Sequence, residues 1–201
     1  MSPTNMTSST TALHVYTDFD STVVLTDTGN SILAHQIGHK ELDRIDCLPE
    51  TEPGRVSLRK AEDMKWDHLR LSVKEAADIL VSPEDNVLLQ QDGVSTGMST
   101  GTTGGFNRVP FDDRQQYESA TEEEVEMLNA KYRVRLDLGF RQFHAFCQEN
   151  RIPITVVSIG IQPLIEEMLD RFLGVKHGII VRANGLTTRP DGTWRILWRD
   201  S

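Results

Sequence analysis

The sequence predicts an α/β protein: a parallel sheet flanked by helices, ending in a β-hairpin. Three observations point there. Leu13-His14-Val15-Tyr16-Thr17 is short and rich in β-formers, which reads as a buried strand. Ile152-Pro153-Ile154-Thr155-Val156-Val157 has the same character, with a helical pattern on either side of it. Strands that alternate with helices build parallel sheets, because a parallel pairing needs a crossover long enough to form a helix.

Residues 1–11 are Ser/Thr-rich and uncharged and read as a disordered tail; they have neither the basic nor the apolar region of a signal peptide. The first strand runs into Asp18-Phe19-Asp20-Ser21-Thr22. Asp27-Thr28-Gly29-Asn30 is a turn and helix-start signal, with a short helix expected over residues 31–37. Residues 40–60, with Pro49 and Pro53, read as irregular. A helical segment near 60–70 carries Met64, Trp66 and Leu69. Ser72-Val73-Lys74-Glu75 is a capping box, in which the two side chains each satisfy a free backbone N–H, and it opens a helix through Leu80. Residues 92–105 are Ser, Thr and Gly repeats with too little apolar surface to offset their ordering entropy, hence a mobile loop. Thr121-Glu122-Glu123-Glu124 is a second capping box.

From Leu136 the pattern tightens. Asp137 caps a helix through Asn150 that turns Phe140, Phe143, Phe146 and Cys147 inward. The second strand ends at Ser158-Ile159-Gly160. Pro163 suits the first turn of the next helix, which stops at Gly174. Residues 177–181 are a third strand candidate. Pro190-Asp191-Gly192 is a turn before the strand Trp194-Arg195-Ile196-Leu197-Trp198.

Composition narrows the function. The 201 residues carry a net charge of -9, from 21 Lys+Arg against 30 Asp+Glu, with no basic block. Such a chain has no electrostatic case for nucleic acid or an anionic membrane, and an anionic substrate needs a local site. No run approaches the ~18 apolar residues that span a bilayer. Cys47 and Cys147 stand outside any C-x-x-C or Cys/His cluster; two reduced thiols in a cytoplasmic protein are expected. His35 and His39 have i, i+4 metal-ligand spacing but no third ligand, so a solvated helix face is expected there. His144 is expected at a core edge.

The chemistry gathers at strand ends. In an open α/β sheet, ligands bind beyond the carboxyl ends of the strands. Asp18 and Asp20, one residue apart just past a strand, can share a site while pointing differently. One can attack phosphorus as a nucleophile. The other can protonate the leaving oxygen and then deprotonate water. A magnesium ion would offset repulsion between the first carboxylate and a phosphate. At the second strand end, the Ser158 hydroxyl and backbone N–H groups at a helix start can cradle an anion.

The stretch Val15-Tyr16-Thr17-Asp18-Phe19-Asp20-Ser21-Thr22-Val23-Val24 resembles the first motif of the haloacid dehalogenase (HAD) superfamily, in its phosphoserine phosphatase-like flavour with a helical cap. Leu136-Asp137-Leu138-Gly139-Phe140 and the strand to Gly160 are similar to the segment with the second motif. Asn184-Gly185 and the hairpin to Trp198 are similar to the part of those proteins just after that motif. The resemblance covers residues 13–39 and 136–199 well and the middle loosely. It implies a HAD-like Rossmannoid core over residues 12–27 and 136–201, and a mainly helical cap over 28–135 with a flexible loop at about 92–108. It implies a magnesium-dependent phosphatase that hydrolyses a small phosphorylated metabolite through an aspartyl-phosphate. Asp18 would be nucleophile and magnesium ligand. Asp20 would be acid/base, with its backbone carbonyl on the metal. Ser158 and Gly160 would hold the phosphoryl group and Thr22 would support the loop. A phosphotransferase or phosphonatase on the same scaffold would share the nucleophile.

Two substitutions depart from the pattern: Ser21 stands where many members have Gly, and Ile159 where they often have Gly or Ser. Members also continue into a third motif with a Lys and a fourth with Gly-Asp-Gly. Ending at Ser201, this chain is expected to be truncated, with Trp194 and Trp198 poorly sheltered; a non-catalytic HAD-like protein that keeps phosphate or metal binding is the alternative.

Overall fold

Strands β1 (Val15–Thr17), β2 (Ile154–Ile161), β3 (Ile180–Thr188) and β4 (Trp194–Leu197) form one sheet in that order in the computed structural model, which describes residues 13–52, 54–87, 121 and 130–199. β1, β2 and β3 are parallel, and β4 returns antiparallel to β3. The expected α/β class and hairpin are both present.

Helices α1 (Thr28–Ile37), α2 (His39–Asp46), α3 (Leu48–Thr51), α4 (Leu58–Trp66) and α5 (Val73–Leu80) lie between β1 and β2 in the chain. Helix α6 (Leu138–Glu149) precedes β2, and α7 (Gln162–Leu173) crosses from β2 to β3. Side chains cap three of the starts: Asp27 accepts from the Asn30 amide, Ser57 from Lys60 and Asp137 from Phe140. The Ser72/Glu75 capping box forms in full at a fourth. Pro163 sits in the first turn of α7 and Gly174 ends it at φ 88°, a conformation that favours glycine.

Several boundaries move. α1 begins at Thr28, three residues early, because Asp27 caps it. Residues 40–60, expected to be irregular, hold most of α2, all of α3 and the start of α4; only Leu42 and Ile45 of α2 are buried, too narrow a stripe to show as periodicity. On α6, Phe140, His144 and Cys147 face inward, whereas Phe143 and Phe146 are 40% and 54% exposed. The third strand starts at Ile180 rather than residue 177. His177 is held in a turn instead: its carbonyl accepts from the His144 ring (2.7 Å) and from Gln148, and its ring accepts from the Ile179 amide at 2.9 Å. His144 thus stands at the core edge, as expected. His35, expected on a solvated face, is buried and packs edge-on against Tyr132, while His39 is exposed on the next helix. Cys147 is buried, Cys47 exposed, and both are free thiols. The expected tail, the 92–105 loop and the helix after the second capping box lie outside the described residues.

One apolar cluster joins the layers. Phe19 after β1, Ile32 and Leu33 of α1, Leu80 of α5, and Leu164, Met168 and Phe172 of α7 are all buried in it. Arg171 of α7 is buried and reaches α5 by ion-pairing Asp78 at 2.6 Å and donating to the Lys74 carbonyl at 3.2 Å. Trp194, expected to be poorly sheltered, is 1% exposed. It stacks on Trp66, and its indole donates to the Leu71 carbonyl at 2.5 Å. No helix among the described residues is long and apolar enough to cross a membrane.

Candidate active site

Phe19 separates the two carboxylates. Its side chain is fully buried, and its carbonyl accepts from the amides of Thr22, Val23 and Val24 at 3.3, 2.8 and 3.1 Å. The chain therefore folds tightly back just past β1, with Asp18 and Asp20 on either side of an apolar anchor. Ser21 takes φ 57° in this turn, which explains why glycine suits the position. Thr22 lies exposed on the turn.

The environments of the carboxylates differ. Asp18 is exposed and accepts from the adjoining Phe19 amide at 2.7 Å. Asp20 is partly buried and accepts from both the amide (2.9 Å) and hydroxyl (2.8 Å) of Thr28, the first residue of α1. Burial pushes the Asp20 carboxyl above the usual carboxylate range against those two hydrogen bonds, and the charges of Asp27 and Asp18 push the same way. Two neighbouring acids held in different environments suit a division into nucleophile and proton donor.

The β2 tip meets this turn. Ser158 Oγ accepts from the Gly160 amide at 2.9 Å. A Cβ at Gly160 would come within 3.2 Å of Ser158 Oγ, 3.3 Å of Ile165 Cδ1 and 4.0 Å of Asp20 Oδ2, so glycine lets the two tips approach without displacing these neighbours. A cavity of about 700 Å³ opens over the strand ends, with Asp18 and Ser158 in its wall. Asp20, Gly160 and Thr22 lie outside that wall.

The cationic part of the wall has no signal in the sequence. Arg59 of α4, Arg182 of β3 and Arg199 after β4 line it. The Arg59 guanidinium lies 5.0 Å from the ring centre of Trp198, and Arg199 donates to the Ala183 carbonyl and to Gln162 at 3.1 and 3.2 Å. A chain of net charge -9 thus presents a cationic cavity to ligands. The arginines are far apart in sequence, and only the fold brings them together.

The donor chemistry suits magnesium in part. The ion takes hard oxygen ligands, and typically one or two carboxylates with the remaining positions left to water and substrate phosphate. The Asp18 carboxylate and the Asp20 backbone carbonyl are such donors. Among the described residues no group of three or more His, Cys, Asp or Glu gathers for a metal.

Two acids and a hydroxyl thus stand at neighbouring strand ends of one parallel sheet. No family model matches the chain. It is similar to Pdp3-interacting factor 1 of Schizosaccharomyces pombe, 23% identical over 190 residues, which cover 94% of this chain and 61% of that protein. It is also similar to the polyol phosphate phosphatase PYP1 of Saccharomyces cerevisiae, 34% identical over 70 residues, which cover 34% of this chain and 29% of that protein. The chain spans less than two thirds of the length of either relative. Among solved structures, a HAD family hydrolase from Salmonella enterica serovar Typhi aligns over 92% of this chain and 44% of its own, at TM-score 0.44 and 10% identity. A phosphoserine phosphatase in a phospho-aspartyl intermediate analogue form aligns over 94% and 66%, at TM-score 0.46 and 14% identity.

Proposed function

We propose that the protein is a HAD-type, magnesium-dependent phosphatase acting on a small phosphomonoester. The observation that carries this reading is the convergence of the two strand ends: Asp18 and Ser158 share one cavity wall, and Asp20 lies against the glycine beside Ser158. The similarity to a polyol phosphate phosphatase supports the substrate class, and the arginines supply the local cationic site that an acidic chain needs for an anionic ligand.

The chemistry follows from the two environments. A carboxylate oxygen of Asp18 attacks phosphorus, the ester P–O bond breaks, and the leaving oxygen takes the proton held by Asp20. The product is an aspartyl-phosphate and a free alcohol. Asp20, now a carboxylate, takes a proton from water as that water attacks phosphorus; the acyl-phosphate bond breaks, and inorganic phosphate and the Asp18 carboxylate result. The raised pKa of Asp20 suits the first of these transfers. Ser158 and the Gly160 segment hold the transferring oxygens, and Thr22 stabilises the turn. Magnesium on Asp18 and the Asp20 carbonyl would supply charge neutralisation. Helices α1–α5 form the cap side of the site, to which α4 contributes Arg59.

Incubation with p-nitrophenyl phosphate and magnesium, beside Asp18→Asn, tests the reading. Turnover that requires magnesium and Asp18 is expected. Phosphate binding with no turnover in the native sequence would instead favour a non-catalytic, phosphate-binding protein.

A further inference from the structure

The β2–β3 ladder is broken beside the phosphoryl cradle. Val157 pairs with Arg182, yet the next paired residue, Ile161, faces Asn184, so three β2 residues stand against one of β3. Ser158, Ile159 and Gly160 thus exceed their β3 counterpart by two residues, and the bulge carries them out of ladder register. A bulge of this kind leaves backbone groups without ladder partners, and such groups need another source of hydrogen bonds. Asn184 provides one. It is buried, and its side-chain amide donates to the Ile159 carbonyl at 2.6 Å. Its side-chain oxygen accepts from the Arg199 amide at 3.1 Å. One side chain therefore ties the centre of the bulge to the residue that carries an arginine into the cavity wall.

We propose that Asn184 is a positioning residue for phosphate: it fixes the Ser158–Gly160 bulge and Arg199 in one relative placement, so that hydroxyl, backbone and guanidinium address the same anion. The inference rests on the phosphoryl-transfer reading of the cavity, but it needs only anion binding and no turnover. Asn184 itself lines the cavity, but its side-chain amide and oxygen are engaged by the Ile159 carbonyl and the Arg199 amide. Its carboxylate isostere separates the two bonds. Asn184→Asp keeps an acceptor for the Arg199 amide but sets a carboxylate oxygen against the Ile159 carbonyl in place of the donor. Asn184→Ser keeps a donor but is too short to span both partners.

The test is direct titration of the full chain with inorganic phosphate in the presence of magnesium, followed by 31P or 15N NMR, for the native sequence and both variants. Thermal midpoints and far-UV circular dichroism are recorded alongside. The expected result is roughly tenfold weaker phosphate binding in both variants, the scale of one lost hydrogen bond to a charged ligand, with the native circular dichroism retained and the Gly160 amide resonance displaced. Phosphate affinity within about twofold of native in Asn184→Asp would overturn the proposal. So would loss of fold in both variants, since the role would then be structural. Absence of phosphate binding by the native protein would overturn it as well. Failure of the catalytic reading alone gives a different pattern: no p-nitrophenyl phosphate turnover, but phosphate binding that still depends on Asn184.

Discussion

Asp20 and Ser21 both occupy costly environments in the turn after β1. The native pKa of Asp20 lies above its ordinary value, so its protonated form is favoured by folding. That contribution to stability is complete below the ordinary carboxylate pKa and is lost as pH rises through the raised native pKa. Above that window the native state holds a disfavoured charge. Asp20→Asn removes the charge and keeps an oxygen for the two Thr28 donors. We expect it to raise the thermal midpoint at neutral pH by on the order of 2 °C, with the gain vanishing in acid below the ordinary carboxylate pKa, while turnover is lost; a lower midpoint at neutral pH would contradict this. Ser21→Gly relieves a positive φ that costs a non-glycine residue about 1–2 kcal/mol, less the greater entropy a glycine loses on folding. A net gain of roughly 0.5–1 kcal/mol should appear in denaturant unfolding, and destabilisation would show that the Ser21 hydroxyl matters more than the backbone.

Among the helices and strands, local signals were legible where one residue dictates the backbone. Asp27, Ser72, Asp137, Pro163 and Gly174 mark helix ends by the groups they satisfy or the φ they adopt, and each is found at its end. The parallel pairing and the hairpin were legible, but strand bounds and register were not. β2 extends past Val157 because Asn184 and the β3 ladder hold residues 158–161 in a bulged strand, and residue 177 fails to start β3 because α6 side chains capture its carbonyl. Nor does sequence show that Arg171 links α7 to α5. Two partly exposed carboxylates, Asp78 and Glu167, hold its buried guanidinium at 2.6 and 2.9 Å. Arg171→Ala should therefore cost about 2 kcal/mol, less than a pair buried on both sides, read as a lowered denaturant midpoint. Trp194→Ala, which empties a core site shared by β4 and α4, should cost ~3–5 kcal/mol; a loss under about 1 kcal/mol would mean the hairpin is not docked as described.

For the molecule as one piece, the placing of Asp18, Asp20 and Ser158 towards strand ends could be read from sequence because each follows a recognisable β-rich run, although Ser158 proves to lie within β2. The arginine wall could not, since Arg59, Arg182 and Arg199 come from a helix, a strand and the end of the hairpin. That wall is the part of the site with the right charge for an anion in a chain of net charge -9. Arg59→Met keeps an alkyl stem beside Trp198 and removes the charge. It should raise KM for p-nitrophenyl phosphate about tenfold and change kcat far less; a fall in kcat at constant KM would move Arg59 from substrate binding to the chemical step.

The whole functional reading turns on attack of Asp18 at phosphorus. Borohydride quenching of the protein during turnover, with peptide mass spectrometry of the product, reports on that step itself, because reduction of an aspartyl-phosphate leaves homoserine at the modified position. Homoserine is expected at residue 18 when substrate and magnesium are both present, and none in Asp18→Asn. Turnover with unmodified Asp18, or modification at another carboxylate, would rule out Asp18 as the nucleophile.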